Sequence, residues 1–558
     1  MSFRSLSVYL LPRHRWVYSL LGLLVCLYIG GIYSVTRGQD MWWDMLNYHL
    51  YNGFAFVTGR TNDLLAAGVH TFLNPLLDAL YYLQFKYFFY HPKLMAFVMG
   101  LPYGLAIWCT YQITKEIWDG HFKYYWALLT TVLAVTSAGI FSVAGFCTQD
   151  IPVTVLLLLG FWLFVRFIRN PRRLAFIYIA AFIYGIAVGL KLTAAPFAVA
   201  LFAAALEPAF RSKKAWRMLL CFMLCGIVGF LITNGYFMWR NWQAWGNPLF
   251  PYYNQIFKSS YYAPALVTEY RFLPRDIWQL LFYPFYWAFV PVEKMVVEFE
   301  LRDMRLALWY ISVFMGVWAL ARRKELPVSR CLFISLLLFT IVGYIAWLFN
   351  FSILRYACML EITACMVIMI VLASLISTTW KQVVCGSCLV GLIIYLTVLP
   401  SWSVGVFEQQ LLTLTPQPYV EDNALVFLTQ YPLSYLVPLI NPKASYMSGF
   451  NHWATDYPRQ YGVWEVPVRD EPIRPAYRRF RVEQLQRDKI LQHNGPIYFL
   501  GVGWHMNLNP KTLARFDLYP AQFPVCQFFS SSLAPYMHTH FLCRVQKYPL
   551  EGEFYALN

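Results

Sequence analysis

The segment WVYSLLGLLVCLYIGGIYSVT (Trp16–Thr36) runs almost directly into QDMWWDMLNYHLYNGFAFVTGR (Gln39–Arg60). The first is apolar over a length that crosses a bilayer, for which about 20 residues suffice. The second brings two carboxylates, Asp40 and Asp44, and then Tyr48, His49 and Asn52 within two helical turns of Asp44. Read as an α-helix, Asp44, Tyr48 and Asn52 fall at i, i+4 and i+8 and share one face. Trp42, Trp43, Met45 and Leu46 enclose Asp44 in the sequence. A carboxylate at a helix start among aromatic rings is suited to taking a proton from an attacking hydroxyl or amine. Asp44 is therefore the first candidate for a catalytic base and Asp40 the second, with Tyr48 and His49 as acceptor-binding candidates. The plainer alternatives are a solvated loop acid for Asp40 and a packed or interfacial histidine for His49.

Composition places this stretch in a membrane protein. The 558 residues are 59% hydrophobic, 19% aromatic and only 13% charged. A soluble chain carries about 25% charged residues. The net charge of +16 does not point to nucleic acid, because it is unevenly spread. From Ser401 onward there are 13 Lys+Arg and 12 Asp+Glu. The excess lies in short basic loops between apolar runs, which sets orientation in a bilayer. Most of the twelve cysteines, such as Cys26, Cys109, Cys221 and Cys225, sit in apolar runs and act as small hydrophobes. Cys385-Gly-Ser-Cys388 has redox spacing but the same apolar setting. In an exported tail, Cys526 and Cys543 are able to pair. No small-residue cleavage site follows the first apolar run, which is expected to remain as an anchor.

Arg4, Arg13 and Arg15 precede the first span, so the N-terminus is expected in the cytoplasm and Asp40 and Asp44 outside. Further apolar runs lie near 71–89, 94–113, 123–145, 151–168, 174–190, 194–208, 217–238, 305–321, 330–349, 355–376 and 382–400. The basic clusters at 166–173, 211–217 and 322–330 all fall inside only if one early run does not cross. The run 71–89 carries Asn74-Pro75, Asp78, Gln84 and Lys86 among aromatics, which suits an interfacial helix. The expected fold is thus a polytopic α-helical membrane protein of about eleven spans plus interfacial helices, including a Pro284-broken segment at 277–292. A small C-terminal α/β extracytoplasmic domain completes it. The division is a membrane catalytic domain over 1–400 and an outer domain over 401–558. In the latter, Ala424–Leu428, Pro496–Leu500 and a terminal FLCRV run read as strands and Val482–Gln492 as a helix. Residues 451–480, rich in Arg, Pro and aromatics, read as an ordered loop or lid. No internal repeat is present.

On the same parity, several charged residues fall outside. Asp150, in TQDIPV, opens a span, where a carboxylate also offsets the helix dipole. Lys191, in GLKLT, sits between two apolar runs on the side where cations are disfavoured, so it requires an anion, either a protein carboxylate or a phosphate. Arg240, Arg305 in the Arg302-Asp303-Met304-Arg305 knot, and Arg355, with Glu361 one to two turns deeper, are further cations for a phosphate. The last pair reads equally as a structural ion pair. Gly501-Val502-Gly503 lacks the third glycine of a dinucleotide loop.

The order of these motifs resembles that of class C glycosyltransferases. The matching features are WDMLNYHLY with its early acid, FLNPLLDALYYL as an interfacial helix, TQDIPV, the late Arg-Tyr in LRYACMLE, and a terminal α/β domain. GLKLTAAPFA and GNPLFP are similar to segments of bacterial members. The resemblance covers about residues 16–400. It implies inverting transfer of a hexosyl or pentosyl unit from a polyprenyl-phosphate-linked sugar to a lipid or glycan acceptor of the cell envelope, at the outer face of a bacterial inner membrane. On this resemblance Asp44 corresponds to the acceptor-activating base. Asp150 corresponds to a second acid that in some members binds a divalent metal or orients the acceptor. Arg355 corresponds to a donor-phosphate contact. The chain departs from the family in two places. Met45 follows Asp44 where aminoarabinose transferases carry an Asp-Glu pair, and Asn74-Pro75 replaces the His-Pro-Pro of protein mannosyltransferases. Metal use and acceptor identity therefore stay open. A lipid or oligosaccharide transporter, or an envelope polysaccharide assembly component, is the alternative. A transporter calls for related halves and midplane charges, and the charges here cluster at one face.

Overall fold

In a computed structural model, residues 15–449 and 481–547 are described, except 121, 263, 265–268, 377, 504–512, 514, 515, 517, 521–525, 535, 536 and 538. The segment 451–480 lies outside the described residues, as do Arg4 and Arg13. The described residues form two compact units. One draws on Met1–Gly38, Ala96–Tyr236 and Thr268–Trp402, the other on Gln39–Met95, Phe237–Val267 and Ser403–Asn558.

In chain order the helices are α1 (Arg15–Arg37), α2 (Leu50–Val57), α3 (Leu76–Tyr87), α4 (Pro92–Ile117), α5 (Lys123–Val135), α6 (Ala138–Ser142), α7 (Asp150–Arg169), α8 (Ala175–Leu190), α9 (Ala195–Phe210), α10 (Ala215–Trp245), α11 (Asn254–Phe257), α12 (Ile277–Phe282), α13 (Arg305–Ala321), α14 (Arg330–Asn350), α15 (Cys358–Leu375), α16 (Thr379–Leu396), α17 (Val437–Ile440) and α18 (Arg481–Gln492). Among the described residues, seven helical stretches are long and apolar enough to cross a membrane: Trp16–Arg37, Pro92–Ile117, Asp150–Arg169, Leu192–Phe210, Ala215–Trp245, Arg330–Asn350 and Leu354–Leu375. Ala175–Leu190, Arg305–Ala321 and Trp380–Leu396 are shorter apolar helices. The chain is a polytopic helical membrane protein. The run 71–89 yields only the 12-residue α3, too short to span, and 277–292 yields α12 followed by a 3-10 turn at Tyr283–Trp287.

Within the first unit, α1 and α4 approach closely through glycine. A Cβ on Gly30 would fall on the Gly104 amide and the Gly100 carbonyl. Small residues four apart allow such backbone contact where lipid supplies no hydrophobic drive. The twenty residues of α7 carry Asp150 at one end and Arg166 and Arg169 at the other, roughly 30 Å away at 1.5 Å per residue. Arg166 and Arg169 pair with Glu116 and Asp119 at 2.9 and 2.8 Å. α8 runs back, so Lys191 returns to the Asp150 end.

The run 123–145 is not the single span that the sequence predicts. It breaks between α5 and α6, where Ser137 is extended. A helix start leaves amides without partners. Here the Ala138 amide donates to Asp303 Oδ2 (3.0 Å), and those of Gly139 and Ile140 donate to the Glu361 carboxylate (3.0 and 3.2 Å). Ser137 Oγ donates to the same carboxylate at 3.1 Å. Two buried acids thus meet donors that offset their desolvation, and the break holds because it is enclosed by protein.

The second unit contains the sheet. Its strands are β3 (Leu414–Thr415), β4 (Leu425–Leu428), β5 (Ser445–Ser448), β6 (Ile497–Val502), β7 (Leu518–Pro520), β8 (Cys526–Ser531) and β9 (His540–Lys547), after a small pair β1 (Gln39–Asp40) and β2 (Val404–Gly405). The order is β3-β8-β9-β6-β4-β5, with β7 also on β9. β4 pairs in parallel with β5 and β6, and β9 runs antiparallel to β6. β4 and β6 are buried throughout, which is why both read as unbroken apolar runs. The strands and helix expected in the tail are present. Cys526 and Cys543 are opposite in the β8–β9 register and form a disulfide. Gly501 and Val502 belong to β6, not to a phosphate loop.

Candidate functional site

In the second unit, the acid-bearing stretch is not a plain α-helix. Met45–His49 is one π turn with Asp44 at its N-cap, and α2 follows. A π turn closes i to i+5, so His49, and not Tyr48 alone, follows Asp44 by one turn. Asp44 is 6% exposed. α3 packs on α2 at Gly53, where any Cβ would strike the Asp78 carbonyl. This approach sets the Asp78 carboxylate against His49, with Oδ1 2.6 Å from Nδ1, and both residues are buried. The sequence places Asp78 only within an interfacial helix; its histidine partner is visible only in the fold. Tyr48 stacks on His70, ring centroids 4.6 Å apart. Asn47 Nδ2 lies 3.2 Å from His70 Nδ1, and Asn52 Nδ2 donates to the His70 carbonyl at 2.9 Å. Neither His70 nor Asn47 carries a sequence signal. Tyr48 and His49 are both buried, so neither lines an open acceptor surface in this conformation. Asp40 lies in β1, and its Oδ1 accepts the Trp42 amide at 2.9 Å, so it shapes the turn into the acidic stretch.

The end of this stretch is held by the sheet. Arg60 forks onto Asp63 at 2.5 and 2.6 Å and donates to the carbonyls of Pro442 and Ala444. Asp63 also accepts the Tyr446 amide (2.8 Å) and the Tyr51 hydroxyl (2.9 Å). Burial, with the Asp63 charge beside it, holds the Tyr51 phenol well above its ordinary pKa, so it remains a donor. Leu64 forms a parallel bridge to Met447 at the β5 edge, and Ser434 Oγ donates to the Asn47 carbonyl. Arg60→Ala leaves the Asp63 carboxylate buried and unpaired, which we expect to cost about 3 kcal/mol. Arg60→Ala/Asp63→Ala should cost less than that single change, as read by thermal denaturation of the purified variants.

In the first unit, three separated segments meet at helix ends. Lys191 Nζ lies 2.5 Å from Asp150 Oδ1 and 2.7 Å from the Thr148 carbonyl. It also stands 5.1 Å from the Tyr356 ring centroid, and Arg355 Cζ lies 5.1 Å from the same ring. Asp150, Lys191, Tyr356 and Arg355 are therefore contiguous. Glu361 is not part of this group; its contacts are those at the start of α6.

Arg305 requires correction as a phosphate contact. It is 1% exposed and bonded to Asp303 (2.7 Å), Thr397 Oγ1 (3.0 Å), Thr136 Oγ1 (3.0 Å) and the Leu133 carbonyl (3.0 Å). Its guanidinium ties α5, α13 and the end of α16 together. Arg240 is exposed, over Phe237 of its own helix, in the second unit.

No family model and no curated protein matches the chain. Among solved structures it is similar to ArnT from Cupriavidus metallidurans bound to undecaprenyl phosphate, with 15% identity and a TM-score of 0.43 over 68% of this chain and 64% of that one. It is also similar to the Archaeoglobus fulgidus oligosaccharyltransferase in complex with zinc and sulfate, with 13% identity and a TM-score of 0.42 over 75% of this chain and 62% of that one. The chain spans less than two thirds of the length of either. The likeness is one of fold, and the roles considered below rest on this chain's own residues.

A divalent metal at Asp150 does not fit the donors present. Its Oδ1 is taken by the Lys191 ammonium, which repels a second cation. Among the described residues no three His, Cys, Asp or Glu side chains converge. No step is assigned to a metal.

Proposed function

We propose that this protein is an integral-membrane glycosyltransferase that moves a sugar from a polyprenyl-phosphate donor to a cell-envelope acceptor. The observation that carries the reading is the meeting of Lys191 and Arg355 on Tyr356, at the ends of apolar helices and beside Asp150. Cations in such positions suit a phosphate headgroup whose tail lies in lipid. They also stabilise the charge that grows on a leaving phosphate. Asp150 acts through Lys191 by holding its ammonium in place.

Asp44 accepts the proton of the attacking acceptor group. The acceptor atom bonds to the anomeric carbon, the bond from that carbon to the phosphate oxygen breaks, and the configuration inverts. The charge pattern of 1–400 and the disulfide of the tail support an outer-face reaction at a bacterial inner membrane. In that reading 1–400 carries the chemistry and 401–558 is extracytoplasmic. Protein purified into lipid nanodiscs should bind a polyprenyl phosphate saturably and ignore the corresponding polyprenol. Equal retention of the alcohol would overturn the phosphate site.

A further inference from the structure

We infer that Glu361 is a positioning residue for the phosphate contacts, acting through α6 on the turn that carries Arg355 and Tyr356. The inference rests on the glycosyl-transfer reading and adds to it what holds the two sides of that site in register.

The Glu361 carboxylate is 2% exposed and takes three donors from one short stretch. The Gly139 and Ile140 amides reach it at 3.0 and 3.2 Å, and the Ser137 hydroxyl at 3.1 Å. A helix start is ordinarily capped by a neighbouring side chain, and serine is among the residues best suited to that. Ser137 stands at the N-cap of α6, yet its side chain caps no amide. Its hydroxyl instead donates to the Ala134 carbonyl (2.7 Å) and to Glu361. A carboxylate 222 residues further along the chain from Gly139 thus replaces a local cap. Burying a charge is costly unless it is fully met by donors. What this arrangement adds over a local cap is a fixed seat for α6 on α15.

Two connections carry that seat to the phosphate contacts. A Cβ on Gly139 would strike the Glu361 carboxylate and come within 3.0 Å of the Leu354 carbonyl oxygen. α6 therefore lies directly against the 3-10 turn Leu354–Ala357, which holds Arg355 and Tyr356 and runs into α15. The same turn is anchored by the Leu354 amide on the Val296 carbonyl (2.8 Å) and by the Trp347 indole on the Ile353 carbonyl (2.8 Å). A change at Glu361 should thus shift the turn without releasing it. Along the chain, α6 leads through buried Val143, Ala144, Phe146 and Cys147 to Thr148 and Asp150, which hold the Lys191 ammonium. Gln149, between them, has φ 64°, a left-handed conformation that a residue with a Cβ keeps only where its surroundings hold it. One short helix, seated by Glu361, therefore joins the Lys191 side of the group to the Arg355 side.

Glu361→Gln keeps the size of the side chain but sets an NH2 against at least one of the three donors. It should lower kcat/KM for the polyprenyl-phosphate-linked sugar by about 10²-fold, the scale of a misplacement of about 1 Å. Saturable binding of polyprenyl phosphate, which needs no turnover, should weaken with it. The deciding measurement is a double-mutant cycle with Lys191→Met, per mole of monodisperse protein. If Glu361 acts through the phosphate contacts, the double variant should lose far less than the product of the two single losses. A role in folding alone would give that product to within about twofold, and this result would overturn the inference. Unchanged kcat/KM in folded Glu361→Gln would overturn it as well. Should Glu361→Gln yield no folded protein, Gly139→Ala disturbs the same contact with the carboxylate retained and enters the same cycle with the same two outcomes. Lys191→Met alone scores the parent reading. If it transfers at the wild-type rate, the phosphate site is lost and this inference with it; if it is impaired and the losses multiply, only the role of Glu361 is lost.

Discussion

Asp44→Asn should reduce sugar transfer by about 10³-fold, within the range that a positioned general base contributes, while polyprenyl-phosphate binding remains. The carboxamide fills the same volume at the start of the π turn but cannot accept the acceptor's proton. The substitution removes no atom of the Lys191, Asp150 and Arg355 side chains, so the donor headgroup contacts should stay intact. The effect should therefore fall on kcat and not on donor KM. Asp40→Asn is the matched comparison. Asn still offers an oxygen to the Trp42 amide, so transfer should remain near the wild-type rate. Transfer by the Asp44 variant at the wild-type rate, or an equal loss in both variants, would remove Asp44 as the base.

Lys191→Met should lower kcat/KM for the donor by about 10² to 10³-fold, the scale of losing one preorganised charge at a developing anion. Asp150→Asn should cost less, because the amide oxygen still accepts from the ammonium and keeps it near Tyr356. Lys191→Met also leaves the Asp150 carboxylate buried without its partner, a destabilising state. Lys191→Met/Asp150→Asn should recover the folded yield of Lys191→Met but not its activity. The two residues act as one unit, so their effects on transfer should not add. Measured over a range of donor concentrations, unchanged kcat/KM in Lys191→Met would sink the phosphate site.

Much of this was legible beforehand because hydropathy and charge act locally along the chain. The apolar helices and the tail strands follow from runs of side chains whose water or lipid preference does not depend on distant partners. The same logic singled out Lys191 as a cation needing an anion, and Asp150 supplies one. Periodicity failed where a tertiary contact altered the backbone. The break after α5 exists because Glu361 and Asp303, far along the chain, take the amides that a continuous helix would have used. Arg305 looked like a free cation for the same reason, since Thr136 and Leu133 are 169 and 172 residues away.

The sequence by itself determined that Gln39–Arg60 begins where an apolar helix ends and that it carries two acids, Asp40 and Asp44. Only the tertiary structure decided which side chains surround Asp44. An α-helical phase aligns Asp44 with Tyr48 and Asn52, and one extra residue in the turn brings His49 forward. Asp78 then reaches His49 because glycine at position 53 lets two helices touch. Composition sets which residues leave water, but register and close packing set which of them meet.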